Sequence, residues 1–442
     1  MTIGIRADAP SREGYLHGRG HAWFALALTL ALMVVDYVDR HVIVSLFPYM
    51  RVEWGLSDKQ LGGLVSVVSI TVALGALPVA LFADRVSRVK SIVAMGLAWS
   101  LATVSCTWAR GYGQMVALRS AVGLGEAGYG AVGAALIAAH FPSRLHGALL
   151  AGFFASASVG SVIGVMLGGV IAAHWGWQAA LGVVGVPGLV LALLYTKVRD
   201  YPTVALEPVP DAPHGSFAQV ARHVARVLAR SRTLLWTCVG GAAQLVVVSA
   251  LWSWLPSFLN RVHGMTPAQA GAKGALVILG GAAGSVVWGA VVDRAGAEFP
   301  RRKLAVLAVL CTASMIVLVA SFGLRLDGDA QFALIALGGF LVTCTVGPAS
   351  AIVMDVVHPG MRATGSSVLA LFQNLLGLAV GPLLGGVLSD AWGLVPALSA
   401  MPLFALLAAG AFLRAARSYE GDRAGVSTPA EIEFGPVRGI PS

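Results

Sequence analysis

Apolar residues fall into twelve long runs along the chain, near 22–46, 61–83, 90–109, 114–139, 147–174, 178–196, 233–258, 271–292, 303–325, 331–356, 363–389 and 393–416. Each is about 18 residues or longer, the length an α-helix needs to cross a bilayer's hydrocarbon core. Polar and charged residues gather in the segments between the runs. The pattern predicts an all-α membrane protein of twelve transmembrane helices. An even number of spans returns both termini to one face.

The chain reads as five parts: a tail over 1–21, a six-helix bundle over 22–196, a linker over 197–232, a second six-helix bundle over 233–416, and a tail over 417–442. The linker begins rich in proline (Pro202, Pro208, Pro210, Pro213). It continues with Phe217, Val220, Val224, Val227 and Leu228 at helical spacing, while Arg222, Arg226 and Arg230 step along another face. Two readings fit that second half: an amphipathic helix lying on the membrane surface, or a solvated connector. The polar stretch from Tyr419 to Ser442 is expected to be disordered.

The two bundles repeat. Gly160, Gly164, Gly168, Gly169, Trp175 and Gly176 recur 217 residues later as Gly377, Gly381, Gly385, Gly386, Trp392 and Gly393. A duplicated six-helix unit predicts two pseudo-symmetric bundles with a site at the midplane between them. Glycines four apart mark faces where helices meet backbone to backbone.

Composition narrows the function. The 442 residues are 57% hydrophobic and 12% charged, against about a quarter charged in soluble domains. The net charge of +9 does not signal nucleic acid here. With both termini cytoplasmic, 22 of the 30 lysines and arginines lie inside and 6 outside, which orients the chain in a bacterial-type inner membrane. Arg40 and Arg119 remain, both within spans. Cys106, Cys238, Cys311 and Cys344 sit in apolar runs without ligand spacing, so no metal or disulfide is expected. The first twenty residues lack the apolar core of a cleaved signal. With no nucleotide loop, nucleophile elbow or metal cluster in view, the chain is read as a non-enzyme without cofactors.

Intramembrane charges carry the chemistry. In the fourth span, Arg119 and Glu126 stand seven residues apart, about two helical turns, with Gly123 and Gly125 between them. In the first span, Asp36 and Arg40 are four apart and Asp39 lies nearby. A charge at the bilayer centre costs about 2.5–3.5 kcal/mol unless paired or wetted, so these five residues are expected to share an interior site. They sum to −1 when ionised. One carboxyl group, Asp39 or Glu126, is expected to exchange protons while Arg40 and Arg119 bind an anionic group. A static salt-bridge network that only fixes packing is the competing reading. Tyr37, Gln244, Trp254, Gln373 and Asn374, with Trp252, are candidates for the cavity wall. The second bundle lacks matching deep charges, which suits a cargo with a charged head and an apolar body. Asp355 and His358 read as a charge pair at the membrane edge.

Two Asp-Arg pairs mark the ends of spans 2 and 8. Asp84-Arg85 is followed by Arg88, and Asp293-Arg294 by Arg301 and Arg302. An aspartate at a helix end beside basic residues can hold one conformation shut. Asp84, Arg85, Arg88, Asp293 and Arg294 are therefore the candidate cytoplasmic gate.

With these motifs the chain resembles the major facilitator superfamily, through both Asp-Arg pairs and Arg119-Ser-Ala-Val-Gly123-Leu-Gly125-Glu126-Ala127. Ala80 and Ser87 depart from that pattern, which has glycines there. A narrower resemblance is to spinster-like transporters, carried by Asp36-Tyr37-Val38-Asp39-Arg40, Leu56-Ser57-Asp58-Lys59-Gln60-Leu61-Gly62, Arg362-Ala-Thr-Gly365 and Asn374-Leu-Leu-Gly377. Asp36 stands where that group has asparagine. The resemblance implies a secondary transporter working by alternating access, proton-coupled, moving an amphipathic, lysolipid-like anion. A symporter of small organic anions or sugar acids is the alternative, and a membrane sensor or scaffold a third. The partners expected are the anionic substrate, protons and membrane lipids, with no nucleic acid, and one chain is expected to work as a monomer.

Overall fold

A bilayer interior offers no water to backbone amides, so each apolar run must satisfy its own hydrogen bonds as a helix. The computed structural model describes residues 15–85, 87–200, 231–357 and 362–427, with no side chains described at 77, 80–85, 363, 426 or 427. Among them are twelve helices long and apolar enough to cross a membrane. The first half holds span 1 (Arg19–Trp54), span 2 (Asp58–Arg85), span 3 (Arg88–Ser105), span 4 (Tyr112–Glu126 then Tyr129–His140), span 5 (Ser143–Trp175) and span 6 (Trp177–Tyr195). The second half holds span 7 (Arg232–His263), span 8 (Pro267–Ala295), span 9 (Arg302–Gly323) and span 10 (Gly328–Val342 then Val346–Val356). Span 11 follows (Arg362–Phe372, a π-helical Gln373–Leu378, Val380–Trp392), then span 12 (Leu394–Ala400, Met401–Leu403, Phe404–Ser427).

The repeat seen in sequence is built into the packing. Gly160, Gly164 and Gly168 of span 5 lie against the backbone of span 1 at Val34, Val38 and Val42. Their counterparts Gly377, Gly381 and Gly385 of span 11 lie against span 7 at Ala242, Val246 and Trp254. A Cβ at Gly164 would fall 2.7 Å from the Val38 carbonyl oxygen, so only glycine permits this approach. Helix starts match too. Ser57 and Gln60 form reciprocal side-chain-to-backbone bonds at the start of span 2, and Thr266 and Gln269 repeat the arrangement at span 8. Glycines with positive φ precede both, Gly55 at 62° and Gly264 at 63°.

Three departures from the sequence expectations concern helix continuity. The apolar run 114–139 is not one helix: it stops at Glu126, and Gly128, at φ 87°, restarts it. Span 10 breaks at the matching place, between Val342 and Val346. The last helix runs on to Ser427 instead of dissolving after residue 416, because Tyr419 is buried and its hydroxyl donates to Asp355 at 2.7 Å. Asp422 also accepts from Ser231 and the Thr233 amide, both at 2.8 Å, which holds the polar end of span 12 to the start of span 7. The linker helix expected over 216–232 and the end of the C-terminal tail lie outside the described residues, apart from Ser231 and Arg232.

The halves meet unequally. Spans 2 and 11 pack together, as do spans 5 and 8, and spans 1 and 7 cross at the centre. Their tightest approach is at the end bearing the connections after odd-numbered spans. There Gly386 presses on the Asp58 backbone and Gly169 on Pro267. At the opposite, even-connection end, polar contacts between described residues stay within one half: Ser87 with Asp200, the His140 ring with the Arg199 carbonyl, Lys303 with Asp355.

The glycine packing makes a prediction. Gly164→Leu and Gly381→Leu should each cost about 1–3 kcal/mol by overpacking. Gly410→Leu, at a site with nothing within 4 Å, should leave the thermal unfolding midpoint of the purified protein near wild type.

Candidate functional site

Span 1 carries three charged residues in five positions, and their fates differ by rotation around the helix. Asp36 and Arg40, four apart, lie on one face, with the Arg40 Nε 3.6 Å from the Asp36 carboxylate. The same nitrogen is 2.9 Å from Glu126 of span 4. Two carboxylates thus rest on one guanidinium. Their side chains are 4% and 0% exposed, against 16% for Arg40. Arg40 also lies over the Tyr37 ring, 5.2 Å from its centroid.

Asp39 turns to span 3 instead. It accepts from the Thr103 hydroxyl at 3.1 Å, and its other oxygen has no hydrogen-bond partner. Arg119, fully buried, donates one bond at 3.0 Å to the backbone carbonyl of Asp39. It makes no ion pair within 4 Å among the described residues, and its Nε and Nη2 are without hydrogen-bond partners. The five charges expected to share one cluster are therefore two adjoining groups: Asp36, Arg40 and Glu126, and beside them Asp39 with Arg119.

The break in span 4 positions this arrangement. Gly125 lets the helix approach Trp99 of span 3, and Gly123 approaches Val68 and Thr71 of span 2. The helix then ends at Glu126, where its carboxylate meets span 1.

Of the expected wall residues, Tyr37 flanks Arg40. Gln373 and Asn374 open the π-helical turn of span 11, where one extra residue per turn displaces the backbone. Gln244 and Trp254 are packed between helices. Gln244 is buried and donates to Ser314 at 3.1 Å and to the Val342 carbonyl at 3.0 Å. Trp254, also buried, donates to the Pro382 carbonyl at 3.0 Å and packs on Phe47. Both make helix-to-helix contacts, although the Gln244 Oε1 has no hydrogen-bond partner.

His41 was missed by the sequence argument. Its ring lies nearly parallel to Tyr37 (14°) and 6.1 Å from Trp252 of span 7, so it joins the two halves beside the charge cluster. The signal was present: His41 follows Arg40 and stands four residues after Tyr37, whose carbonyl its Nδ1 contacts at 3.0 Å.

The gate residues divide. The side chains of Asp84 and Arg85 lie outside the described residues. Arg88 opens span 3, where Ser87 caps the Lys90 amide at 3.1 Å. Asp293 and Arg294 are exposed and make no ion pair with one another or with other described residues. His358 also lies outside, and Asp355 pairs with Lys303 at 3.1 Å instead. No group of His, Cys, Asp and Glu among the described residues is arranged to hold a metal.

Twelve spans in related halves, with buried charges between spans 1 and 4, are the setting for the comparison with known proteins. A model of the Major Facilitator Superfamily matches residues 29–379. The chain belongs to the major facilitator superfamily. It is 25% identical over 398 residues to Protein spinster of Drosophila melanogaster, covering 87% of this chain and 64% of that longer protein. It is 28% identical over 432 residues to the Gallate transporter of Pseudomonas putida, covering 89% of this chain and 91% of the other. Its fold matches a crystal structure of a bacterial homolog to the human lysosomal transporter Spinster, in an inward-facing and unoccupied conformation, with a TM-score of 0.81 at 22% identity over 92% and 99% of the two chains. The chain is thus a multi-pass transporter of this superfamily, similar to spinster proteins, and not an enzyme.

The cluster makes a stability prediction. Arg40→Ala leaves two buried carboxylates without their cation and should cost about 3–5 kcal/mol. Adding Glu126→Gln to Arg40→Ala should recover part of that loss, read as the unfolding midpoint of the purified protein.

Proposed function

We propose that this protein is a proton-coupled transporter that moves an organic anion by alternating access. The bodies that rock are the bundles over 22–196 and 233–416, joined by the segment 197–232. The observation that carries the reading is the placement of Asp36 and Glu126 against the single guanidinium of Arg40. Two buried negative charges against one positive leave an excess of one. In a low-dielectric site that excess is relieved by a proton held between the two carboxyl groups or by an arriving cation. The proton-carrying unit is therefore Asp36 with Glu126. Asp39, which the sequence argument placed beside Glu126 as a candidate, serves to hold span 3 through Thr103.

An anionic head group competes with the carboxylates for Arg40. Its arrival at Arg40 frees a carboxylate, which then takes up a proton, and the coupling of cargo to proton follows. Arg119, with two unpartnered nitrogens, is the second cation on this wall. From the second half, Trp252 lies beside His41, and Gln373 and Asn374 remain the candidates for the rest of that wall, which carries no deep charge among the described residues. This division suits an amphipathic, lysolipid-like anion. A small aromatic acid is the second reading, favoured by the similarity to the Gallate transporter over nearly the whole of both chains.

The excess of lysine and arginine on the even connections and tails supports a cytoplasmic location for them and for both termini, in an inner membrane. The site is then reached from the cytoplasm, since the halves are drawn together at the opposite end. One chain houses the complete pathway and works as a monomer.

The test is ligand-induced stabilisation of the purified protein at two pH values, with lysophospholipids in one series and gallate and related hydroxybenzoates in another. Wild type should be stabilised by one series, with an affinity that changes about tenfold per pH unit where one proton is coupled. Glu126→Gln and Asp36→Asn should remove that pH dependence, while Asp39→Asn should retain it. Wild-type pH dependence in the first two variants would remove the proton role from this pair.

A further inference from the structure

The halves are held together by few polar contacts, and those contacts share one place. Every hydrogen bond and ion pair between the halves that joins two described residues ends on Asp58 or Lys59. Asp58 is the first residue of span 2 and is 3% exposed. Its carboxylate receives both terminal nitrogens of Arg261, from span 7, at 2.7 Å each. The Ser389 hydroxyl of span 11 donates to it at 2.5 Å. Arg51, from its own half, stands at 3.5 Å. The backbone joins in as well. The amides of Asp58 and Lys59, unsatisfied donors at a helix start, donate to the two oxygens of Asp390 at 2.8 and 2.9 Å. An acidic residue of one half thus caps a helix of the other.

The repeat supplies an internal control. Gly386 rests on the Asp58 backbone, and its counterpart Gly169 rests on Pro267 and Ala268 at the start of span 8. The geometry is the same but the chemistry is not. Where Asp58 offers an amide to be capped, Pro267 has none. At the 217-residue offset, Ser389 and Asp390 correspond to Ala172 and Ala173. One seam is charged and directional, the other apolar and close-packed. Packing alone therefore closes the seam between spans 5 and 8. The seam between spans 2 and 11 has in addition a latch that a charge change can break.

We infer that Asp58, with Arg261, Ser389 and Asp390, is the latch that keeps the outer end of the transporter closed and so sets its resting preference for the inward-open state. The inference takes its orientation from the proposed function, but its test needs neither substrate nor protons. Spin labels at Arg110→Cys and Arg325→Cys place one exposed probe on each half at the latched end, away from the latch, and the four native cysteines are buried. Electron–electron double resonance on the labelled protein in nanodiscs should give one short distance. Asp58→Asn and Arg261→Gln should each raise the long-distance population about tenfold. If Asp58→Asn does not accumulate as folded protein, Arg261→Gln and Ser389→Ala carry the test, and a long-distance population in either sustains the latch. A wild-type distance distribution in every folded latch variant would overturn it. That result would leave the proton assignment standing, as loss of the proton assignment would leave the latch.

Discussion

A charge inside a membrane must be answered by a partner, because no solvent is there to answer it. In this protein that constraint is met incompletely beside span 1. Arg40 faces two carboxylates, Asp36 and Glu126, and can neutralise only one. Much of the surrounding structure serves to bring these three groups together. The glycine-lined contact of span 5 sets span 1 in place. Gly123 and Gly125 draw span 4 against spans 2 and 3. The end of the helix at Glu126 then delivers the second carboxylate to the first span.

The halves divide the work. The first half holds the ionisable residues of the site, and Trp252 of the second half lies beside His41 across the gap between them. Among the described residues, the polar contacts between the halves gather around Asp58, at the start of span 2. Ion pairs that lie deep in one half persist through a rocking motion, whereas pairs that bridge the halves must be made and broken in each cycle. The structure places its unbalanced charge in the first class and its latch in the second. Charge balance at the centre and closure at the end are thus separable, even though both act on the same transport cycle.

The sequence made the twelve spans and the repeat legible because helix length and glycine spacing are local properties. The positions of Asp36 and Arg40 were legible for the same reason, since residues four apart share a helix face. Asp39 was not. Three residues from Asp36, it falls about 60° short of a full turn, enough to face Thr103 of span 3 instead of Glu126. The break at Gly128 was hidden because it looks like its neighbours: Gly123 and Gly125 allow close packing, while Gly128 turns the chain, and composition does not separate the two. Gln244 and Trp254 looked like cavity groups because their partners, Ser314 and the carbonyls of Val342 and Pro382, are remote in sequence. The pairing of Asp58 with Arg261, across 203 positions, was hidden in the same way.

The central claim is that one proton is shared by Asp36 and Glu126 at neutral pH. Infrared difference spectroscopy of the protein in lipid observes the protonated carboxyl group itself. The account predicts a buried protonated-carboxyl band in wild type, still present in Asp39→Asn and absent from the combined Asp36→Asn and Glu126→Gln variant. A wild-type spectrum without that band, or a band that survives in the combined variant, would contradict it.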